Sequence, residues 1–365
     1  MKILFDHQTF SLQKYGGISR YFANLIKGIN KSGKGYGYIM SLFSENEYIK
    51  NEHMALSNSV GQKLFNNKPK RLYNWNRRFS RWSLRLRKFD VFHPTYYDPY
   101  FIKYLKKPCV ITVHDMLHEL YPHYFADAQE VTARKRKVME RADLLIAISE
   151  YTRQDMIKVY PQMKDKIRVV YHGYLGLTSQ PEPDHTLPAK YILFVGERWH
   201  YKNFPFFVQG ISRLLTSSPE LKLVCAGGKA FTADETALLE QYNIAGKCLQ
   251  MDVTDVILQQ LYSQAELFVF PSLHEGFGLP LLEAFANECP VICCDSSCMP
   301  EIAGNAALYF DPLQPDHLFQ MVSRVLQDEE LRLELKKKGL KRLELFTFDT
   351  CVQNTLQVYQ SLIKV

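Results

Sequence analysis

A loop with two glycines lies between two glutamates that are eight positions apart. Glu275 precedes Gly276 and Gly278, and Glu283 follows them. Glycine lets the backbone come close to a ligand, and the free N–H groups at the start of a helix attract anions. The two carboxylates can accept hydrogen bonds from sugar hydroxyls. The same residues also fit an ordinary strand–loop–helix corner with solvated glutamates, so both interpretations stay open at this point.

Two cations and two glycines elsewhere have the chemistry of a phosphate site. Arg198 and Lys202 follow the apolar run at 191–195. There they could neutralise a departing diphosphate, Arg by paired hydrogen bonds and Lys as a point charge. Gly16 and Gly17 separate the first apolar run from a helical segment, and their N–H groups could contact a phosphate. The simpler alternatives are a solvated loop for the cations and a plain turn for the glycines.

Three histidines end apolar runs that are typical of strands. His114, with Asp115 beside it, follows the run at 109–113. Parallel strands carry ligand-contacting residues at their carboxyl ends, so we interpret His114 as a functional residue. His93 and His172 have similar positions, and the sequence leaves them open between a functional and a structural role.

The strands and helices that position these residues are indicated by an alternating pattern of apolar runs and helical segments. Short apolar runs rich in β-branched residues alternate with longer segments of helical spacing. This pattern predicts parallel sheets covered on both faces, and there are too many runs for one sheet of usual size. The polar stretch 175–190, with three prolines, is the best linker. We predict an α/β fold of two doubly wound domains facing each other across a cleft, with ligands at the carboxyl ends of the strands.

Length and charge narrow the class of protein. A chain of 365 residues suggests two domains, and 46% hydrophobic with 23% charged residues is typical of a soluble globular protein. The formal charge of +7 comes from one place, because residues 68–88 contain nine basic residues and no acidic one. The rest of the chain has 36 basic and 38 acidic residues. These numbers argue against a generally cationic nucleic-acid binder.

The compartment follows from what the sequence lacks and from its cysteines. The N-terminus has no signal-peptide pattern, and no apolar run approaches the ~18 residues of a membrane-spanning helix. Several of the eight cysteines lie in apolar runs. No CxxC pair or neighbouring histidine completes a metal site, so we predict buried thiols in a reduced cytosol.

The basic segment has a helical apolar stripe of its own. Leu72, Trp75, Phe79, Trp82 and Leu86 recur at helical spacing among the Arg and Lys residues. The stripe could pack into the first domain, or it could form an interfacial helix that meets anionic lipid or a lipid-linked acceptor. We favour a mixed case, in which part of the stripe is buried and the basic rim faces a membrane.

These motifs together resemble a known family. Glu275 and Glu283, in the setting EGFGLPLLEA, are similar to the E-x7-E donor-binding signature of the family-four retaining glycosyltransferases, which have the GT-B fold. The resemblance is closest to a mannosyltransferase-like subgroup. It extends, in family order, over YGGISRYF at 15–22, TVHD at 112–115, AISEYT at 147–152, VGERWHYKN at 195–203 and the segment 294–312. The landmarks cover nearly the whole chain.

The resemblance implies a set of site residues and substrates. The catalytic residues that it implies are His114, Arg198, Lys202 and Glu275. The donor-binding residues that it implies are Gly16, Gly17, Gly276, Phe277, Gly278, Leu279 and Glu283. The donor would be a nucleoside-diphosphate sugar, GDP-mannose or a UDP-hexose, with no other cofactor and no metal. The acceptor would be a glycan or a polyprenyl-linked glycan, and no nucleic acid partner is expected.

The family also implies how the domains divide. Residues 1–180 would form an acceptor-binding domain and 190–347 a donor-binding domain, both Rossmann-like. Residues 348–365 would form a helix that crosses back to the first domain, with the linker at 181–188 as the other hinge. We expect a cytoplasmic enzyme of bacterial surface polysaccharide synthesis, and contact with the inner face of the plasma membrane stays open. The alternatives are a nucleotide-sugar epimerase of the same fold and a non-catalytic carbohydrate-binding module.

Overall fold

The chain forms two compact units. The computed structural model describes residues 1–50, 56, 58–86, 88–176 and 187–363. Unit 1 consists of residues 1–148, 152–170 and 349–365, and unit 2 consists of residues 149–151 and 171–348. Residues 177–186, which make up most of the predicted linker and of the predicted hinge at 181–188, lie outside the described residues.

Unit 1 is built on parallel strands that are buried along most of their length. The strands are β1 (Lys2–Phe5), β2 (Tyr36–Ile39), β3 (Val91–His93), β4 (Val110–Val113), β5 (Leu144–Ala147) and β6 (Ile167–Val169). They pair in parallel in the orders β2-β1-β3 and β4-β5-β6, and a bridge between Phe92 and Cys109 joins the two groups. Strands β4 and β5 are buried at every position, as parallel strands covered on both faces must be.

The helices of the first part of the chain pack around these strands. They are α1 (Gln8–Leu12), α2 (Gly17–Lys31), α3 (Asn58–Phe65), α4 (Pro69–Leu86), α5 (Leu117–Leu120), α6 (Ala128–Arg141) and α7 (Glu150–Val159). Helix α2 shows why they pack, because Phe22, Leu25, Ile26 and Ile29 fall on one face and are buried.

Unit 2 is built on a single six-stranded parallel sheet. Its strands are β7 (Lys190–Val195), β8 (Leu221–Ala226), β9 (Cys248–Met251), β10 (Leu267–Phe270), β11 (Val291–Cys294) and β12 (Leu308–Phe310). Their spatial order is β12-β11-β10-β7-β8-β9, which is the strand order of a dinucleotide-binding Rossmann fold. The order reverses between β7 and β10, and the crevice at such a point is where ligands bind in these sheets.

The remaining helices cover the second sheet, and the last one returns to unit 1. They are α8 (Phe204–Ser217), α9 (Ala233–Gln241), α10 (Asp255–Gln264), α11 (Leu279–Ala286), α12 (Met299–Ala303), α13 (Pro315–Gln327), α14 (Glu329–Leu343) and α15 (Phe348–Ile363). From Asp349 onward, α15 belongs to unit 1. Both units therefore have the doubly wound α/β architecture that the sequence predicted.

Candidate active site

The centre of the unit 2 sheet brings two loops together. One loop follows β7 and the other follows β10, and these strands are neighbours at the point where the strand order reverses. The backbone N–H of Leu273 donates to the carbonyl of Tyr201 at 2.7 Å, which ties one loop directly to the other. Residues that are far apart in the sequence thus meet at one edge of the sheet.

Lys202 and Glu275 form an ion pair at this edge. The Lys202 ammonium lies 2.5 Å from Glu275 Oε1, and both side chains are 16% exposed. The ammonium also lies 5.8 Å from the centre of the Phe270 ring. A charge-assisted hydrogen bond of this kind holds both groups in a fixed position. The structure therefore joins two of the residues that the sequence selected.

Three serines hold the loop that carries Glu275. The backbone N–H of Glu275 donates to Ser297 Oγ at 3.2 Å, and the Ser296 hydroxyl donates to the Leu273 carbonyl at 2.9 Å. The buried Ser149 hydroxyl donates to the Gly276 carbonyl at 2.6 Å. Sequence reasoning missed all three serines, although each lies inside a segment that it singled out. Their position beside the motif residues was the only available signal.

Glu301 is a fourth residue that sequence reasoning missed. Its carboxylate accepts the backbone N–H groups of Glu150 and Tyr151 at 2.7 and 2.9 Å. These are amides at the start of α7, which lack partners inside the helix. Glu301 thus fixes the segment that carries Ser149.

The glycine loop ends in a backbone conformation that favours glycine. Gly278 has φ +87° and precedes the first residue of α11, Leu279. Phe277 is buried, and its ring packs edge-on against His172 at 5.3 Å and Phe346 at 5.7 Å. The Phe277 side chain therefore anchors the loop, and only its backbone is left for a ligand. His172 is explained by the same packing.

Glu283 lies half-buried on α11. Its Oε2 accepts the Tyr262 hydroxyl at 3.4 Å, and its carbonyl accepts the Asn287 side-chain amide at 2.8 Å. The Tyr262 ring is itself buried. This fixed neighbour restrains the orientation of the Glu283 carboxylate.

Arg198 belongs to a different set of contacts from Lys202. Its side chain is buried, its Nε donates to Glu235 Oε1 at 3.1 Å, and its Nη1 donates to the Gly227 carbonyl at 3.2 Å. Its Nη2 donates to the Lys229 carbonyl, and the Phe231 ring lies 4.8 Å away. The guanidinium thus holds residues 227–231 and the start of α9.

The two N-terminal glycines lie where the sequence predicted a turn into a helix. Gly16 precedes the first residue of α2, Gly17. The backbone N–H of Ser19 already donates to the Gln13 side chain at 3.2 Å, and the Ser19 hydroxyl donates to the Gly16 carbonyl. A Cβ at Gly17 would meet nothing within 4 Å. The space beside Gly17, the first residue of α2, is therefore open.

The histidines at the strand ends of unit 1 differ from one another. Burial lowers the pKa of His114 to about 4, with Asp115 opposing the shift and Lys135 adding to it. Its ring is therefore a neutral imidazole at pH 7, which can donate or accept a hydrogen bond. His93 is fully buried, with Nδ1 2.6 Å from the Tyr359 hydroxyl and Nε2 3.0 Å from Thr112 Oγ1. The open question about His93 is thus decided in favour of a structural role.

The cysteines lie in the cores. All eight are buried and form no disulfide, which confirms the predicted buried thiols. Within the described ranges, no group of three His, Cys, Asp or Glu side chains is arranged to hold a metal ion. Nor does any helix of the described chain have the length and apolar character needed to cross a membrane.

Two family models match successive parts of the chain. Residues 15–174 match Glycosyltransferase Family 4, and residues 178–342 match Glycosyl transferases group 1. The chain is a member of the glycosyltransferases. The residues matched by the first model lie mostly in unit 1, and those matched by the second model lie in unit 2.

Curated relatives and solved structures agree with this assignment. The chain is 27% identical to O-antigen chain mannosyltransferase B of Escherichia coli over 296 residues, which are 77% of each protein. It is 27% identical over 211 residues to an N-acetylgalactosaminyltransferase of Campylobacter jejuni that acts on a diphospho-undecaprenol substrate, covering 56% of this chain and 57% of that one. The structure of Anabaena HepE with UDP and glucose superposes with a TM-score of 0.74 at 14% identity, over 100% of both chains. The likeness confirms the GT-B fold.

Proposed function

We propose that this glycosyltransferase moves a hexosyl unit, with retention at the anomeric carbon, from a nucleoside-diphosphate sugar to a hydroxyl of a glycan or lipid-linked glycan. The observation that carries the proposal is the Lys202–Glu275 pair, at the carboxyl ends of two neighbouring parallel strands. A cation and a carboxylate side by side match a donor that has a diphosphate next to a sugar.

The proposed roles follow from where charge develops. The bond between the anomeric carbon and the diphosphate oxygen breaks, and a bond to the acceptor oxygen forms. Negative charge grows on the diphosphate, so fixed positive groups aimed at it supply the largest stabilisation. We assign this to Lys202 and to the backbone N–H groups of residues 16–17 and 276–279. The leaving phosphate takes the acceptor proton, so no separate base is required.

The carboxylates and His114 would hold the sugar and the ribose. Glu275 accepts hydrogen bonds from the donor sugar, and Glu283 accepts them from the ribose hydroxyls. The neutral His114 ring donates to, or accepts from, a hydroxyl of the transferred sugar. Contact of Arg198 with the diphosphate would require its guanidinium to give up Glu235 or a carbonyl, so we assign Lys202 the larger share.

We further propose that the reaction needs no metal and serves bacterial surface polysaccharide synthesis. The sequence offers no aspartate pair of the metal-binding type, and Lys202 supplies positive charge beside Glu275. The similarity to an O-antigen mannosyltransferase supports GDP-mannose as the first donor to test. UDP-hexoses are the second, because HepE was solved with UDP and glucose. An acceptor on a polyprenyl chain would be met at a membrane surface.

A donor screen followed by a transfer assay tests the proposal. A ligand at ~100 times its Kd stabilises the folded protein by about 2.7 kcal/mol, which shifts the thermal midpoint measurably. We expect one nucleotide sugar to give this shift, and then to release nucleoside diphosphate only when an acceptor is added, in buffer with EDTA. NMR of the product should show the anomeric configuration of the donor.

Each other outcome has a definite meaning. Donor turnover without an acceptor-dependent product would indicate an epimerase. Binding without turnover with any glycan or lipid-linked acceptor would indicate a carbohydrate-binding module. A strict requirement for Mg²⁺ or Mn²⁺ would contradict the metal-free reaction.

A further inference from the structure

Helix α4 packs onto unit 1 through small polar side chains. The Asn76 side chain accepts from the Leu42 backbone N–H at 2.8 Å and donates to the Phe43 carbonyl at 2.9 Å. Ser80 donates to the Met40 carbonyl at 3.0 Å. Asn76 and Ser80 are buried. Hydrogen bonds to the backbone of residues 40–43 therefore hold much of the inner face of this helix.

Leu72 and Leu84 of α4 are buried as well, whereas its two tryptophans point the other way. Of the stripe that the sequence selected, only Leu72 is buried, and Phe79 is half-buried. Trp75, Trp82 and Leu86 are 45%, 54% and 44% exposed. The hypothesis that the stripe packs into the first domain is therefore wrong for most of it.

A neighbouring helix also exposes apolar side chains. Helix α3, which contacts α4, exposes Val60 and Leu64 at 46% and 39%. Phe79 stacks on Trp82 with ring centres 5.8 Å apart. Helix α4 thus carries an aromatic strip, formed by Trp75, Phe79 and Trp82, and grouped exposed apolar side chains of this kind mark interaction sites.

Positive charge lies on the same helix as the aromatic strip. The Arg78 guanidinium lies 5.7 Å from the Trp75 ring, and the Arg85 guanidinium lies 5.1 Å from the Tyr104 ring. The segment that carries Tyr104 adds Lys103, which is exposed. Both guanidinium groups therefore lie beside aromatic rings.

The acidic side chains in this part of the chain are already bound. Between residues 68 and 107, only Asp90 and Asp98 are acidic. Asp90 accepts the backbone N–H of Lys2 at 2.7 Å. Asp98 accepts the Tyr73 hydroxyl at 2.9 Å and pairs with Arg77 at 3.3 Å. Between residues 68 and 107, basic side chains therefore far outnumber acidic ones.

We propose that the outer face of α4 docks on an anionic lipid surface. Trp75, Trp82 and Leu86 would enter the boundary between headgroups and acyl chains, and Arg78 and Arg85 would contact lipid phosphates. Interfacial helices combine an apolar aromatic face with Lys and Arg around it, and anionic leaflets attract such clusters. Trp and Arg are also enriched at protein interfaces, and the excess of basic over acidic residues at 68–107 is what favours an anionic lipid surface here. The proposal does not depend on the reaction that unit 2 performs.

Vesicle flotation with the whole protein tests this docking. We expect flotation with vesicles of mixed phosphatidylcholine and phosphatidylglycerol, little with phosphatidylcholine alone, and release at high salt. Removing two cations with Arg78→Gln and Arg85→Gln should weaken binding about 25-fold, at about a factor of five per cation. The matched control, Lys337→Gln with Lys341→Gln, removes two exposed cations from α14 and should bind like the wild type.

Tryptophan fluorescence gives a second, independent measurement. Trp75, Trp82 and Trp199 are the three tryptophans of the chain. Anionic vesicles should shift the emission of the wild type and of Trp199→Ser to shorter wavelength. They should leave the double variant Trp75→Ser, Trp82→Ser unchanged. These side chains are exposed, so the thermal midpoint of each variant should stay near that of the wild type.

Three results would overturn the proposal. One is equal flotation with neutral and anionic vesicles, and another is equal loss of binding in the α4 and α14 variants. The third is self-association through Trp75 and Trp82 without vesicle binding, which would make this surface a protein interface.

Discussion

The carboxyl edges of the two sheets have the same architecture and different uses. In unit 2, the loops after the two central strands carry Lys202 and Glu275, each still partly exposed. In unit 1, the equivalent edge carries Asp6 after β1 and Thr95 after β3, and both are buried. Asp6 accepts the Thr95 backbone N–H at 2.9 Å and the Tyr100 hydroxyl at 3.0 Å. The carboxyl ends of the strands thus hold a partly exposed ion pair in unit 2 and a buried polar network in unit 1.

The comparison shows what distinguishes a ligand-binding site from a structural network. Buried polar networks rigidify a fold when every member is satisfied, and the Asp6 network does so. A charge pair that reaches solvent can exchange its partner for a ligand. We therefore expect changes in the Asp6 network to alter stability and changes in the Lys202–Glu275 pair to alter turnover.

The largest effect should come from Asp6→Ala. It removes the acceptor for Thr95, Tyr100 and the Gln8 side chain. Each buried group left unpaired costs about 1–3 kcal/mol, so the free energy of unfolding should fall by at least ~3 kcal/mol. Urea unfolding measures this, with Asp6→Asn as the milder control. An unfolding free energy like that of the wild type would show that the Asp6 network does not stabilise the fold.

Lys202→Ala should produce the next largest effect, on turnover more than on stability. Loss of one preorganised charge-stabilising group typically lowers kcat by about 10²–10³. The unfolding midpoint should fall less than in Asp6→Ala, because both members of the pair are partly exposed. Acceptor-dependent release of nucleoside diphosphate measures this. Lys341→Ala, an exposed lysine of α14, is the matched control. Full activity of Lys202→Ala would contradict the proposed role of Lys202 in stabilising the departing diphosphate.

Acidification should destabilise unit 1. Burial lowers the pKa of His7 and His93 to about 3 and that of His114 to about 4, against 6.5 for an exposed histidine. The unfolded chain therefore takes up protons below pH 6.5 that the folded chain refuses until pH 3–4, so stability is full above pH 6.5 and falls below it. At pH 5 the loss is at most about 2 kcal/mol per histidine.

The raised pKa of Asp6, also caused by burial, acts in the opposite direction. Thermal unfolding at pH 7 and pH 5 measures the net result. His93→Gln should flatten the dependence, because it removes one of the three histidines. An unchanged slope in that variant would contradict the assignment.

The smallest effect should come from Ser149→Ala. It removes the hydroxyl that holds the Gly276 carbonyl, a bond worth about 1 kcal/mol. Donor binding should weaken several-fold, because the glycine loop loses one fixed point, while the other loop contacts remain. Ser263→Ala breaks an exposed serine-to-carbonyl bond within α10 and should leave donor binding unchanged. Equal behaviour of the two variants would exclude a positioning role for Ser149.

The sequence predicted the residues whose chemistry is local and missed those whose role depends on packing. Glu275, Gly278 and Lys202 were selected because the family resemblance added to their loop position and residue type. The partners Ser149 and Glu301 could not, because a serine or glutamate next to a motif looks the same whether or not it bonds to the loop. The burial of Arg198 depends on Glu235, which lies on another element.

Helix α4 shows a different limit of sequence reasoning. Periodicity finds the apolar side of a helix, and the inference that this side is buried fails when polar side chains form the inner contact. Here Asn76 and Ser80 meet backbone groups of residues 40–43. The sequence of α4 alone does not predict where those backbone groups lie.

The return of α15 to unit 1 has a consequence for how the protein is made. His93 needs the Tyr359 hydroxyl, which lies 266 residues further along the chain. At a synthesis rate of 5–20 residues per second, the histidine waits roughly 13 to 53 s for its partner. The unit that leaves the ribosome first is therefore completed last. Until then its core histidine lacks the hydroxyl that satisfies it, whereas unit 2 already has all its residues through Phe348.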